Sequence, residues 1–180
     1  MTFLCLWNPD WTSKPLDRIA AQALAVVPRV AVDKSKGIIW ADGKSLEITS
    51  ICDDLKSLVG SVHIGVARIP IAAEIAARFR EKGESVPAVT RVPDGGEREF
   101  LSHCPIQILD PSPPLMNLFD GTGIESCGDL ACLEQESVEV RFGAEGVHLW
   151  RLARADDPHP MLSEFGNARH VFHREDVAVG

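Results

Sequence analysis

The sequence lacks any long uninterrupted apolar run. No stretch approaches the roughly 20 residues that a membrane-spanning helix needs, and residues 1–8 contain neither a basic segment nor a small-residue cleavage site. The 180 residues have an ordinary globular composition, 45% apolar and 24% charged. We therefore expect a folded, cytoplasmic protein with no membrane partner, built as one medium domain or two small ones. Association with the nucleoid is an alternative location.

Cysteine is scarce and odd in number, which argues against a disulfide framework. Because the five cysteines lie mostly in apolar surroundings, we predict reduced, buried thiols, Cys127 and Cys132 included. The sequence also lacks a Gly-rich phosphate loop, a nucleophile elbow and a Ser-His-Asp spacing. His170 and His173 have no cysteine or carboxylate at ligand spacing. We therefore predict no metal site and no cofactor.

Positive charge is scarce in one segment. Residues 105–160 hold 10 acids and 3 bases, whereas residues 1–104 hold 13 of each. Proteins that bind nucleic acids gain affinity by neutralising phosphates with lysine and arginine. DNA binding by residues 105–160 is therefore disfavoured by their charge.

The apolar pattern of the first half predicts alternating strands and helices. The predicted elements are strand 3–7, helix 16–27, strands 29–33 and 37–40, helix 46–58, strand 62–67, helix 70–83 and strand 86–92. Gly60 supplies a stop signal and Pro70 a start signal. The βαββαβ order resembles the ferredoxin-like arrangement, an antiparallel sheet with helices on one face. The fold class is therefore predicted to be α+β.

A proline-rich segment, from Pro105 to Pro114, marks a change in composition. We place the domain boundary there, which gives a domain at 1–110, a helical domain at 111–160 and a tail at 161–180. In the helical domain, glycines punctuate short helices twice, at 121–124 and at 143–146. This pattern predicts two helix-hairpin-helix units in tandem.

Tandem hairpins of this kind can present backbone N–H groups to DNA phosphates. The candidate DNA-binding residues are Gly121, Thr122, Gly123, Arg141, Gly143, Ala144, Gly146 and Arg151. Acidic residues flank both hairpins, namely Asp120, Glu125, Asp129 and Glu145. We therefore expect weak, salt-sensitive binding or none. If DNA is bound there, Gly146→Asp should abolish binding and leave the fold intact.

Several segments resemble Y-family translesion DNA polymerases. Residues 124–133, 141–150 and 153–157 are similar to the thumb of that family. Residues 3–11, 28–33, 37–40, 92–97 and 100–101 resemble the palm of its polymerase-like ImuB branch, which is non-catalytic. The resemblance implies a palm followed by a thumb. It also implies that the fingers and the little finger, which the longer family members contain, are missing.

The resemblance further implies where catalytic residues would stand. The metal-binding aspartate of active members would fall at Trp7, and the paired Asp-Glu at Ser35 and Lys36. A lysine in a metal site repels the ion that the site should hold. We therefore expect a pseudoenzyme with a degenerate site. The surviving nearby acids are interpreted as solvated turn carboxylates: Asp10, Asp33 and Asp42.

The resemblance favours a non-catalytic accessory protein of DNA damage tolerance and repair, linked to translesion synthesis and the SOS response. It would act mainly through protein contacts, with a RecA-like mutasome component or a polymerase as partner, and with weak DNA binding as a secondary contact. A DNA-binding module that uses the tandem hairpins is a second hypothesis. A residual nucleotidyltransferase is a third.

Overall fold

A computed structural model of the chain describes residues 2–13, 16–43, 47–79, 88–157 and 171–173. These residues form two compact units, which divide between Arg91 and Val92, with residues 171–173 belonging to the first. The proline-rich segment, at which the sequence placed the boundary, lies inside the second unit. The helix at 97–102 packs against helices that follow this segment, which explains why packing divides the chain earlier than composition does.

The first unit is a six-stranded sheet with three helices. Its elements are β1 (Phe3–Trp7), α1 (Leu16–Ala23), β2 (Val30–Asp33), β3 (Ile38–Asp42), α2 (Ile48–Val59), β4 (His63–Ala67), α3 (Pro70–Arg78), β5 (Val89–Arg91) and β6 (Val171–His173). The strand order is β5-β4-β1-β3-β2-β6. Its central four strands are antiparallel in the order β4-β1-β3-β2, which is the ferredoxin-like order. The predicted α+β class and βαββαβ order are confirmed.

The two faces of the sheet carry different helices. Leu4 and Leu6 of β1 pack in one apolar core with residues of α1 and α2. Cys5 points to the opposite face, because successive strand residues alternate. Its partner on β4 is Gly65, and α3 packs directly on that glycine. The expectation of helices on one face therefore holds for α1 and α2, whereas α3 covers the other face.

The outer strands of the sheet pair in parallel. β5 lies beside β4, and β6 lies beside β2. Part of the predicted tail therefore adds an edge strand to the first unit. α3 ends at Arg78, before the predicted end at Gly83, because Phe79 adopts an extended backbone conformation. Gly83, Val86, where the last strand was predicted to start, and His170 lie outside the described residues.

The second unit is helical. It contains α4 (Glu97–Ser102), α5 (Pro113–Thr122), α6 (Cys127–Ala131) and α7 (Gln135–Ala153). The backbone of α7 is broken at Gly143, with φ 65° and ψ −162°, a conformation that glycine tolerates best. The rings of Phe119 and Phe142 meet edge to face, 5.0 Å apart, in the core of this unit. None of the helices in the described ranges has the length and apolar character of a membrane span.

Two glycines that were predicted to form turns lie inside helices. Gly121 belongs to the last turn of α5, and the turn begins only at Gly123, whose φ is 73°. Gly146 is buried within α7, three residues beyond the break at Gly143. The helical segment after the break therefore begins near Ala144 rather than at Val147. The glycine pattern of the sequence did not distinguish a glycine in a turn from a glycine inside a helix, such as Gly146, which lies against Phe142.

Candidate functional site

β1 and β2 run in the same direction, so their C-terminal ends lie at the same end of the sheet. There Trp7 pairs with Ile38 of β3 and with His63 of β4, and Ile38 pairs in turn with Asp33 of β2. Cross-strand partners share a face, so Trp7 and Asp33 stand in one row. The half-buried Trp7 ring lies 6.1 Å from the His63 ring. The resemblance predicts the degenerate catalytic positions at this end of the sheet.

The hairpin between β2 and β3 is organised by the buried Asp33 side chain. Its Oδ1 accepts hydrogen bonds from the Ser35 N–H at 3.1 Å, the Ser35 hydroxyl at 2.6 Å and the Lys36 N–H at 3.2 Å. Gly37 completes the turn with φ 66°. An aspartate that bonds to backbone N–H groups two and three residues ahead stabilises a tight turn. One carboxylate oxygen at this edge is thus occupied by the hairpin itself.

A charged cluster connects the hairpin to α3. The Lys36 ammonium lies 2.6 Å from Oε1 of Glu74, and the Arg78 guanidinium lies 2.6 Å from the same oxygen. Only 7% of the Glu74 side chain is exposed, against 29% for Lys36 and 20% for Arg78. We call these residues the Lys36–Glu74–Arg78 cluster. It combines two cations with one buried carboxylate on the face of the sheet that α3 covers.

The charges of the cluster affect the pKa of the Cys5 thiol. Burial raises the pKa of the Cys5 thiol well above its usual value, and the nearby Glu74 carboxylate raises it further, while Lys36 and Arg78 act in the opposite direction. The thiol is therefore protonated at neutral pH and is a poor nucleophile. In the part of the chain that the structure describes, no three His, Cys, Asp or Glu side chains converge as a metal-binding group.

The acids interpreted as solvated turn carboxylates fall into two classes. Asp10 is exposed, as expected. Asp33 and Asp42 are each only 1% exposed, so the interpretation was wrong for them. Asp42 forms an ion pair with Arg29, and Asp33 accepts the hairpin hydrogen bonds. Buried carboxylates are retained where such partners replace water. The Asp33 partners are local to the turn, whereas the Arg29 partner of Asp42 becomes visible only once β2 and β3 are paired.

The cysteine predictions were correct in all but one case. All five cysteines are free, and four are buried, whereas Cys132 is exposed. Burial raises the pKa of Cys52 to about 11 and that of Cys127 to about 12. Cys132 was expected to continue the buried helix of Cys127, but α6 ends at Ala131.

Glu74 and Arg78 were not identified from the sequence. The available signal was the position of Glu74 in an otherwise apolar stretch of α3, Pro70–Ala77, every residue of which is buried. A glutamate is almost never buried without a partner. Arg78, four residues later on the same helix, is one such partner. Lys36 could not be paired with it, because 38 residues separate them along the chain.

Replacing Glu74 with glutamine is expected to destabilise the first unit by about 1–3 kcal/mol. The variant removes the carboxylate charge that Lys36 and Arg78 share, although the partial exposure of both cations lets water replace part of the lost interaction. Asp17→Asn is the matched control, since Asp17 pairs with Lys34 at 3.3 Å on the exposed surface. It should cost less than about 0.5 kcal/mol. Urea unfolding measures both variants, and equal costs would contradict a structural role for the cluster.

The candidate DNA-binding residues of the second unit differ in their contacts and do not act as one group. The Thr122 hydroxyl donates to the carbonyl oxygen of Leu118 at 2.8 Å and so serves its own helix. Arg141 is exposed on α7, whereas Arg151 pairs with Asp156 at 2.8 Å. The structure places Gly123 and Gly143 at two backbone breaks, with the exposed Ala144 directly after the second.

The acidic residues beside these breaks form hydrogen bonds within the unit. The carboxylate of Asp129 accepts from the N–H and hydroxyl of Ser126, and these bonds lower its pKa. The carboxylate of Glu145 accepts from the N–H and hydroxyl of Ser112, both at 2.7 Å, which likewise lowers its pKa. Both groups therefore remain ionised at neutral pH. Their negative charge persists where a phosphate would have to approach.

Comparison with known proteins identifies the fold. No protein-family model matches the chain. Among solved structures, a DinB family error-prone DNA polymerase from Sulfolobus solfataricus matches with a TM-score of 0.62 and 18% identity over 84% of this chain. An insertion ternary complex of Dbh DNA polymerase matches with a TM-score of 0.63 and 18% identity. This chain spans 46% and 45% of the length of those two chains. Over most of its length the chain therefore has the fold found in Y-family DNA polymerases.

Proposed function

We propose that this chain is a non-catalytic, polymerase-like accessory protein of DNA damage tolerance, related to the ImuB branch. It acts in the cytoplasm, mainly through contacts with a RecA-like mutasome component or a polymerase. The observation that carries the proposal is the ion pair between Lys36 and the buried Glu74. At that edge, the resemblance to active polymerases calls for metal-binding carboxylates rather than a lysine.

The donor set at this edge is a poor fit for the divalent cations that polymerases of this fold use. Two cations that bridge a reacting phosphate need several unoccupied carboxylate oxygens close together. Here Oδ1 of Asp33 accepts three hydrogen bonds, and Oε1 of Glu74 is shared by two cations. The Lys36 ammonium would oppose any metal ion placed between them.

The short connection from β1 to β2 also supports the proposal. Residues 8–29 supply one turn of 3-10 helix, Pro9–Ser13, and the eight-residue α1. The resemblance expects the fingers, which close on the incoming nucleotide, between the first palm helix region and the hairpin. This connection leaves no room for such a subdomain, so nucleotide selection by closure is not expected.

The proposal predicts that the purified chain does not extend a primer. With primer-template DNA, all four nucleotides and Mg²⁺ or Mn²⁺, product should stay at the level of a reaction without protein. Dbh polymerase assayed beside it is the positive control. Extension that co-elutes with the chain through two further columns, and that Asp33→Ala removes, would contradict the proposal and favour the residual nucleotidyltransferase.

Affinity purification from the native host addresses the partner. A mutasome component or a polymerase should co-purify and stay bound after nuclease treatment. Loss of every partner on nuclease treatment would indicate that DNA bridges them, which favours the alternative of a DNA-binding module.

A further inference from the structure

The second unit contains a cleft whose lining includes one of the candidate DNA-binding residues, Arg151. Its volume is about 550 Å³, and it is open to solvent between α4 and α7. The side chains that matter here are Arg98, Val147, Trp150, Arg151, Arg154 and Asp156. All belong to the second unit, so the cleft is complete within it.

The cleft is lined by most of the basic residues of a segment that is otherwise acidic. Residues 105–160 contain only three bases, and two of them, Arg151 and Arg154, line it. Arg98 of α4 adds a third guanidinium, and Asp156 is the one acid among the lining residues. The cleft is thus cationic within a unit whose surface is otherwise acidic. Such a concentration selects a compact anionic group.

Two of the lining side chains are held in place. The Trp150 indole N–H donates to the carbonyl oxygen of Leu133 at 2.9 Å, which fixes the ring. Arg154 donates to the carbonyl oxygen of Ala131 at 2.9 Å, and its guanidinium lies 4.6 Å from the centre of the Trp150 ring. A fixed arginine loses little side-chain entropy when it binds a ligand. The stack is therefore a preorganised wall of the cleft.

The guanidinium groups keep donors available. Each carries five N–H donors. Arg151 uses its Nε for Asp156, with both side chains about half exposed. Among the described residues, the Arg98 side chain makes no hydrogen bond or ion pair, and Arg98 is exposed. Within the described ranges, the donors of the Arg98 guanidinium are therefore available to a ligand of the cleft.

We infer that the cleft binds a short acidic segment of a protein partner, in which carboxylates flank an apolar side chain. Arginine matches a carboxylate with two parallel hydrogen bonds, and Val147 and the Trp150 ring offer apolar surface between the charges. The inference deepens the proposed function, because it names the chemistry of a partner for a protein that acts through protein contacts.

The surroundings of the cleft favour a peptide over nucleic acid. Gln135, which also lines the cleft, is flanked by Glu134 and Glu136, and both are exposed. A DNA strand carries a phosphate at every step and would extend from the cleft over these glutamates. A short peptide can place its carboxylates on the arginines alone.

The test is a fluorescence anisotropy titration of the full chain with a labelled octapeptide. The peptide carries three carboxylates around one leucine and one phenylalanine, and its amide counterpart has asparagine and glutamine instead. We expect saturable binding of the acidic peptide with a Kd of about 10–100 μM. The amide peptide should bind about tenfold more weakly or worse. No saturation of the acidic peptide at about 1 mM would overturn the inference.

Matched charge reversals locate the site. Arg98→Glu should weaken binding about tenfold or more, whereas Arg141→Glu, a reversal at an exposed arginine that is not among the cleft residues, should change it less than about twofold. Asp156→Asn should strengthen binding about two- to fivefold, since it frees Arg151. Equal losses for both reversals would overturn the inference. Circular dichroism checks each fold, and Arg98→Gln, which should give an intermediate loss, is the milder second variant.

DNA competition separates peptide binding from phosphate binding. Single-stranded and duplex oligonucleotides should fail to displace the peptide at about 200 mM salt. Displacement by DNA, with loss of DNA binding in Arg98→Glu, would make the cleft a phosphate site and overturn the inference. Primer extension by the same preparation would refute only the proposed function, because peptide binding at the cleft does not depend on polymerase inactivity.

Discussion

Replacing Gly65 with alanine is expected to destabilise the first unit by about 3 kcal/mol or more. A Cβ at this position would stand 1.9 Å from the carbonyl oxygen of Ala73 and 2.6 Å from the backbone nitrogen of Ala77. Both atoms belong to the backbone of α3, so no side-chain rotation can relieve the overlap. The helix must move away from β4, and its buried apolar face then loses contact with the sheet.

Hydrogen exchange resolves this effect within the chain. Amides of β4 and α3 should lose protection in Gly65→Ala, and the urea midpoint of the first unit should fall. Gly121→Ala is the matched control, because nothing lies within 4 Å of a Cβ there. It should be neutral or stabilise by up to about 1 kcal/mol. A cost below about 1 kcal/mol for Gly65→Ala would show that α3 does not approach the strand so closely.

Gly146→Asp is expected to unfold or severely loosen the second unit, at a cost of about 3 kcal/mol or more. A Cβ at Gly146 would lie 2.2 Å from the Cβ of Phe142, and the new carboxylate would be buried beside aromatic and aliphatic side chains. Phe142 would have to leave its contact with Phe119. The expectation that this variant leaves the fold intact is therefore wrong, because Gly146 lies inside a packed helix and not in an exposed turn.

The matched control is Gly121→Asp, the same substitution at an open position of α5. It should change stability by less than about 0.5 kcal/mol. Aspartate has a better helix propensity than glycine, and this gain offsets the unfavourable interaction of its charge with the C-terminal end of the helix dipole. The readout is exchange protection in α5 to α7 together with near-ultraviolet circular dichroism. A Gly146→Asp chain with unchanged spectra would contradict the packing. Loss of DNA binding in that variant would not identify a DNA site, because the fold is expected to fail first.

The predicted order of the elements came from local patterns. β1 was predicted with the bounds that it has, Phe3–Trp7, because a short buried apolar run between turn signals leaves few alternatives. Gly60 ends α2 with φ 82°, and Pro70 begins α3, since these residues act on their own backbone. Other predicted ends differ from the observed ones. For example, β2 was predicted to begin at Arg29 and begins at Val30. Helix and strand ends depend on tertiary contacts.

What the sequence by itself determined is the βαββαβ order and the α+β class. That Lys36 stands where active polymerases have a carboxylate stays a prediction from the resemblance. The tertiary structure decided which charges meet. Lys36 and Glu74 become partners only because α3 crosses the face of the sheet that carries Cys5. Arg98 joins Arg151 only because α4 packs beside α7. Local propensity acts over a few residues, whereas ion pairs and clefts depend on which distant segments share a buried face.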